Sequence, residues 1–379
     1  MMRRASTNLL SNLTIQSLNF KPLLRFDHHT EVTYLHFNQY FVHTKATSLY
    51  PKDIRGHLRL VEKYAREDDY KEALQHSFKV FELHKAELRV DTCNENTYKH
   101  TRQSVIILRC IVALHTCLEQ YKEALSKNDL LIHILEGLGL PFELIKTRIK
   151  HGDLLIEMGM FDDAFKHFMG IEGETAQGSA ARGLVYVHMA KVLYKQGEVV
   201  DSKSRLTLVS EILEKLMVED VEAYNKICTA NVYQEMGSLY ENMNELILAG
   251  NMFNRGLAIV VKHPRELEHH HRWMFVLSTR IGKLLLQFEG NESLAISYLK
   301  RGVKMLKEEI DIGAKHLEIE LGDTYDALGT TYLNMGKTET AVELFLKSKD
   351  ITVASFGPNH RTSIGAYLNL ADVYVTMER

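Results

Sequence analysis

A pattern of bulky, bulky, small, bulky at offsets 0, 3, 4 and 7 recurs along the 379 residues of this chain. It is clearest at Tyr325, Leu328, Gly329 and Tyr332, and at Tyr233, Met236, Gly237 and Tyr240. It recurs at Tyr186, Met189, Ala190 and Leu193, and in shorter form at His151-Gly152 with Leu155 and at Ile281-Gly282 with Leu285. These offsets fall on one face of a helix of period 3.6. Twelve residues after the small position stands a second small residue, with a bulky one four further on. The pairs are Ala164 and Phe168, Ser202 and Leu206, Ala249 and Phe253, and Ala341 and Phe345; Ala295 comes one residue late. Each unit therefore reads as two helices, A and B, crossing where both backbones carry little side chain. Gly159, Gly197 and Gly336 stand between the two helices, where a tight turn is needed.

The pentapeptide YKEAL marks the start of helix B in two further units, at Tyr70–Leu74 and Tyr121–Leu125. Their A helices carry Val61 and Val112 where the small residue belongs, so these two units are read as degenerate. With an eighth unit at Ala371, the small positions are 61, 112, 152, 190, 237, 282, 329 and 371. Their spacings run from 38 to 51 residues, and an internal repeat of about this length is the signature of a helical solenoid. Only 5 prolines in the chain agree with an all-α fold.

The arrangement resembles the tetratricopeptide repeat, in a form longer than its minimal repeat of about 34 residues. The longer form is similar to the repeats of kinesin light chains. FGPNHRTSIGAYLNLADVY at Phe356–Tyr374 resembles that family's linker and following helix, with matches at Gly357, His360, Asn369, Leu370, Ala371 and Tyr374. The likeness is strong over 317–374, moderate over 144–316 and weak over 53–143. No heptad region of the kind that joins a light chain to a motor is present. The resemblance implies a right-handed superhelical solenoid of antiparallel helix pairs whose A helices line a concave face. It also implies a non-enzymatic adaptor that binds a protein or peptide partner.

The expected organisation is a candidate organellar presequence at 1–26, a linker at 27–52, degenerate units 1 and 2 at 53–143, and units 3 to 8 at 144–379, the last without a helix B. Residues 1–26 contain no Asp or Glu, are rich in Ser and Thr, and carry Arg3, Arg4, Lys21 and Arg25. That composition suits an imported leader and points to the mitochondrion, with the cytoplasm and the chloroplast as alternatives. A mitochondrial chain would act as an assembly or maintenance factor; a cytosolic one would act as a kinesin-light-chain-like cargo adaptor; an organellar RNA-processing role is the third reading.

Several chemistries are disfavoured. Lys and Arg total 46 against 49 Asp and Glu, a net charge of −3, so no global field attracts nucleic acid. The A helices show no polar residue repeating at a fixed position, as helical readers of RNA would need. No apolar run approaches the ~18 residues that span a bilayer. Cys93, Cys110, Cys117 and Cys228 lack zinc-site spacing and read as structural thiols. His269–His271 point about 100° apart on a helix and cannot converge on one ion; spacing i, i+4 would be required. Gly137 and Gly139 follow a helix and precede Pro141, an inter-unit turn and not a phosphate cradle. No catalytic, metal or cofactor residues are assigned.

Candidate groove residues follow from their offset to the small position in helix A. They are Leu184, Val187, Lys191, Gln234, Thr279, Lys283, Asp323, Asp326, Asn369 and Asp372. The Lys/Asn pairing of carboxylate-clamp repeats is missing at these positions. The Asn that kinesin light chains place two residues before the small position is matched only at Asn369; the others are Lys150, His188, Glu235, Arg280 and Ala327. The mixture of apolar and acidic groups suggests an apolar, partly basic peptide.

Overall fold

The computed structural model describes residues 52–377 except 68, 89–95, 140, 219–222, 264–269 and 312–316. The candidate leader at 1–26 and nearly all of the linker lie outside the described residues, as do Cys93 and His269. The described residues form fifteen helices and no strand. They pair as α1 (Lys52–Arg66) with α2 (Tyr70–Leu88), α3 (Asn96–Cys117) with α4 (Tyr121–Leu138), and α5 (Pro141–Glu157) with α6 (Phe161–Glu174). Next come α7 (Ala180–Gln196) with α8 (Val199–Val218), α9 (Ala223–Asn242) with α10 (Leu246–Lys262), α11 (His270–Leu285) with α12 (Glu292–Asp311), and α13 (Glu318–Asn334) with α14 (Thr338–Phe356). α15 (Arg361–Met377) packs on α14.

The turn inside a unit is a Schellman motif repeated through the chain. In the seventh unit Lys337 N–H donates to the Tyr332 carbonyl and Gly336 N–H to the Leu333 carbonyl. The same two bonds close the turns before α4, α6, α8 and α10. They satisfy carbonyls that the helix end would otherwise leave bare. The motif needs one left-handed residue, supplied by Gly159, Gly197 and Gly336, and by Glu119 and Asn244 at φ 57 and 60. Glycine marks the turn in three of these units but not in the other two, so turn residues alone undercount the repeats.

Packing explains the small positions. A β-carbon on Gly237 would lie 2.5 Å from the Phe253 ring, and one on Gly329 would lie 2.7 Å from the Phe345 ring. Gly152 faces Phe168 in the same way, and Gly282 faces Leu299. Phe168, Phe253, Leu299 and Phe345 are all buried, and complete burial of such a side chain contributes about 1.5–3 kcal/mol. Ala73 and Ala124 of the YKEAL segments are fully buried, while Lys71, Lys122 and Glu123 face water. The pentapeptide is thus an architectural element.

Consecutive helices pack on one another along the chain, with α9 resting on α7 more than on α8. Contacts also join α5 to α7, and α11 to α13. The A helices of neighbouring units therefore approach each other, and their shared face is the inner side of the solenoid. Buried apolar residues run from α1 to α15 in overlapping clusters, a core that each unit completes for its neighbour.

Candidate partner groove

The inner face is built by A-helix residues at a few offsets from the small position. Two residues before it, His188 on α7 brings Nδ1 to 3.0 Å from Asp153 Oδ1 on α5, one unit back. Arg280 on α11 donates to Glu241 at the end of α9 (3.2 Å), and Asn369 on α15 donates to Asp326 on α13 (2.7 Å). Glu235 on α9 acts electrostatically on Lys191 of α7. Four different residue types thus do one job, linking an A helix to its predecessor; α13, with Ala327 at this position, has no such link. Further towards the N-terminus, Arg109 on α3 pairs with Glu143 on α5.

The centre of the groove is a charge cluster. Asp153 Oδ1 accepts from Lys191 Nζ at 3.0 Å as well as meeting His188, and Lys150 stands nearby. Burial disfavours the Asp153 carboxylate, but His188, Lys191 and Lys150 outweigh it and hold its pKa well below the usual carboxylate range. Burial also disfavours the charged form of Lys191, yet Asp153, Glu235 and Glu157 raise its pKa. Burial pushes the ammonium groups of Lys150 and Lys146 down. At the other end of the groove, burial raises Asp326, against the pull of Asn369 and Lys283. The groove is consequently polar along its length. Lysines are denser over α5 and α7, and acids are denser over α9 to α15.

Most of the residues expected in the groove are accessible on the A helices. Lys191, Gln234, Lys283, Asp323, Asp326 and Asn369 are partly exposed, and Asp372 is exposed. Three turn elsewhere. Leu184 and Val187 are both 3% exposed, in the core between α7 and its neighbours, where Val209 and Val232 also pack. Their offsets in α7 point into the inter-unit contact, not into the cavity. Thr279 turns its hydroxyl towards α12, where a β-carbon on Gly302 would lie 2.7 Å from it. That side chain fills the crossing inside its own unit.

Sequence reasoning passed over Lys150, His188, Glu235 and Arg280 because it searched for one residue type at that offset. The readable signal was complementarity between residues one repeat apart: 153 with 188 and 191, 241 with 280, and 326 with 369. Among the described residues no group of three His, Cys, Asp or Glu side chains is placed to hold a metal ion, and no helix is long and apolar enough to cross a membrane. Cys110 is buried beside Ser77, and burial pushes its thiol well above the ordinary range.

Comparison with known proteins adds to this geometry. The tetratricopeptide repeat family matches residues 321–362. Protein KINESIN LIGHT CHAIN-RELATED 2 of Arabidopsis thaliana is 24% identical over 232 residues, which cover 60% of this chain and 33% of that protein. Protein KINESIN LIGHT CHAIN-RELATED 3 of the same plant is 25% identical over 235 residues, covering 60% and 34%. The chain spans about a third of the length of these relatives. A signal transduction ATPase with a tetratricopeptide repeat sensor from Pyrococcus horikoshii superposes with a TM-score of 0.51 at 16% identity, over 85% of this chain and 45% of that one. At that identity the superposition speaks for the fold alone.

Proposed function

We propose that this tetratricopeptide-repeat chain, with repeats similar to those of kinesin light chains, is a non-enzymatic scaffold that holds a partner polypeptide in its concave groove. The observation that carries the reading is the continuous inner face of A helices, polar and partly open from Lys146 to Asp372. Solenoids of this kind use such a face for extended or helical peptides. Its charge is uneven, which refines the expectation of an apolar, partly basic partner. Lys146, Lys150 and Lys191 favour an acidic stretch over α5 and α7, while Glu235, Asp323 and Asp372 favour basic or neutral residues further along. Charge matched in this way sets orientation and specificity more than affinity.

The acid-free start with Arg3, Arg4 and several hydroxyl residues supports a mitochondrial scaffold that assembles or maintains a complex. The similarity to kinesin light chain-related proteins supports a second reading, a cytosolic cargo adaptor. The two separate on the mature N-terminus. A product beginning between residues 26 and 50, recovered from the organelle, supports import; an intact Met1 on the cytosolic protein supports the adaptor. The groove reading itself is tested by Lys150→Glu combined with Lys191→Glu. Affinity capture with this variant should lose partners that the parent chain retains, with its thermal transition still cooperative. Retention of every partner would remove the groove from the binding surface.

A further inference from the structure

Two residues before its small position, helix A of units 4, 5, 6 and 8 carries the residue that links it to the preceding A helix: His188, Glu235, Arg280 and Asn369. Their counterparts stand at three offsets from the small position of that preceding helix. Asp153 and Lys191 come one residue after it, Glu241 four after it, and Asp326 three before it. In unit 3 the linking position is Lys150. By the same offsets its acid should stand on α3 at Ala113, Thr116 or Arg109, and none of these is an acid. Ala113 is buried, the Thr116 hydroxyl donates to the Val112 carbonyl at 2.8 Å, and Arg109 pairs with Glu143.

Lys150 is therefore a linking residue whose counterpart is missing. Among the described residues no hydrogen bond or ion pair reaches its ammonium group. Asp153, further along the same helix, is already engaged at 3.0 Å by both His188 and Lys191. Glu157 attracts Lys150 through space, Lys191 repels it, and burial lowers its pKa. A cation shielded in this way costs free energy until an anion meets it. The position is nonetheless partly open, on the inner face of α5. Lys146, one turn earlier, and Arg109 keep the neighbourhood positive.

We propose that Lys150 selects the partner: an Asp or Glu side chain of the bound polypeptide supplies the missing acid and lies across the junction of α3 and α5. A carboxylate is the group the repeats themselves use. Wherever a cation takes part in such a link, it meets Asp or Glu: His188 and Lys191 on Asp153, Arg280 on Glu241, and Lys191 with Glu235. This inference rests on the groove reading above and narrows it to one seat. The other cations of the inner face named in these links serve the solenoid, whereas Lys150 serves recognition. Charge placed so sets register and specificity.

The probe is a phage-displayed library of random dodecapeptides panned on the full-length chain. Enriched peptides should share one Asp or Glu position. In Lys150→Met that position should lose its acidic preference at least tenfold, and in Lys150→Glu it should turn to Lys or Arg; Lys150→Arg should keep it. The thermal transition of Lys150→Met should stay or rise, since no internal ion pair is lost. A fall in that transition would show that an acid of the chain itself fills the seat, and would overturn the proposal. So would an acidic preference that survives Lys150→Met, or at least tenfold tighter binding of a synthetic peptide with phosphoserine at the selected position. The groove reading is separated by Gln234→Trp, which obstructs the inner face and should abolish enrichment. Peptides lost in that variant but carrying no acidic position would overturn this inference alone. Peptides that it retains, or no enrichment on the parent chain, would overturn both.

Discussion

The first two units and the five that follow place bulk on opposite sides of the same helix crossing. In units 3, 5 and 7 helix A offers Gly152, Gly237 or Gly329, and helix B fills the space with Phe168, Phe253 or Phe345. Units 4 and 6 pair Ala190 with Leu206 and Gly282 with Leu299. In units 1 and 2 helix A carries buried Val61 and Val112, and the helix B positions are Ser77 and Asn128, also buried. Ser77 donates to the Ala73 carbonyl and Asn128 to the Thr147 carbonyl, so neither polar group is left without a partner. A side chain has moved from one helix to the other, and the crossing stays filled. Close packing constrains the total volume and leaves open which backbone supplies it.

The largest expected effect lies on the aromatic side of this contrast. Phe253→Ala should cost about 3–5 kcal/mol in urea unfolding, whereas Ser77→Ala at the equivalent position should cost under about 1.5 kcal/mol. Equal losses at the two sites would break the comparison. Next comes Gly237→Val, which forces a branched side chain into the Phe253 ring and should cost about 1–3 kcal/mol. Combined with Phe253→Ser it rebuilds the arrangement of the first units. The double variant should then be more stable than the two single losses added, by at least ~1 kcal/mol. Strict additivity would mean that the two positions do not share one space.

Acidification should divide the solenoid along a different line, and more gently. Burial lowers the pKa of His57, His151 and His167, in units 1 and 3. His57 Nδ1 lies 2.9 Å from His76 Nδ1, with Lys79 adding repulsion and Asp53 opposing it; His151 stacks on His167 and meets Asp129; His167 also meets the Arg148 carbonyl and its charge. With folded values below the unfolded ~6.5, the unfolded chain binds protons first. Stability is therefore full above pH ~6.5 and falls as pH drops through that value towards the folded ones. Amide exchange between pH 7 and 5, corrected for intrinsic rates, should rise several-fold more in α1 to α6 than in α12 to α14. A uniform rise would contradict it. The smallest effect is expected from Arg280→Gln. Its partly exposed pair with Glu241 should contribute under about 1 kcal/mol, measured by the same urea unfolding.

Helix A was legible wherever glycine or alanine held the crossing, since the offsets 0, 3, 4 and 7 name one face outright. Val61 and Val112 looked like decay because the crossing was judged from one helix. Reading Ser77 and Asn128 beside them would have shown the exchange. In the groove, the offset of Lys191, Asp326 and Asn369 was enough to place them on the inner face. The same offset rule misplaced Leu184, Val187 and Thr279: three and six residues before the small position, apolar side chains of α7 turn into the inter-unit contact and Thr279 into the crossing with helix B, while the polar Gln234, Asp323 and Asp326 at the same offsets stay partly exposed. Pairs such as Asp153 with His188 join residues 35 apart, and their complementarity emerges only when neighbouring A helices are laid side by side.

The groove claim is tested most directly by photo-crosslinking from single positions inside cells. A photoreactive residue at Gln234, on the inner face, should yield a discrete polypeptide adduct; one at Leu208, exposed on helix B, should yield none. Equal labelling from the two positions, or adducts from Leu208 alone, would contradict a partner held in the concave face.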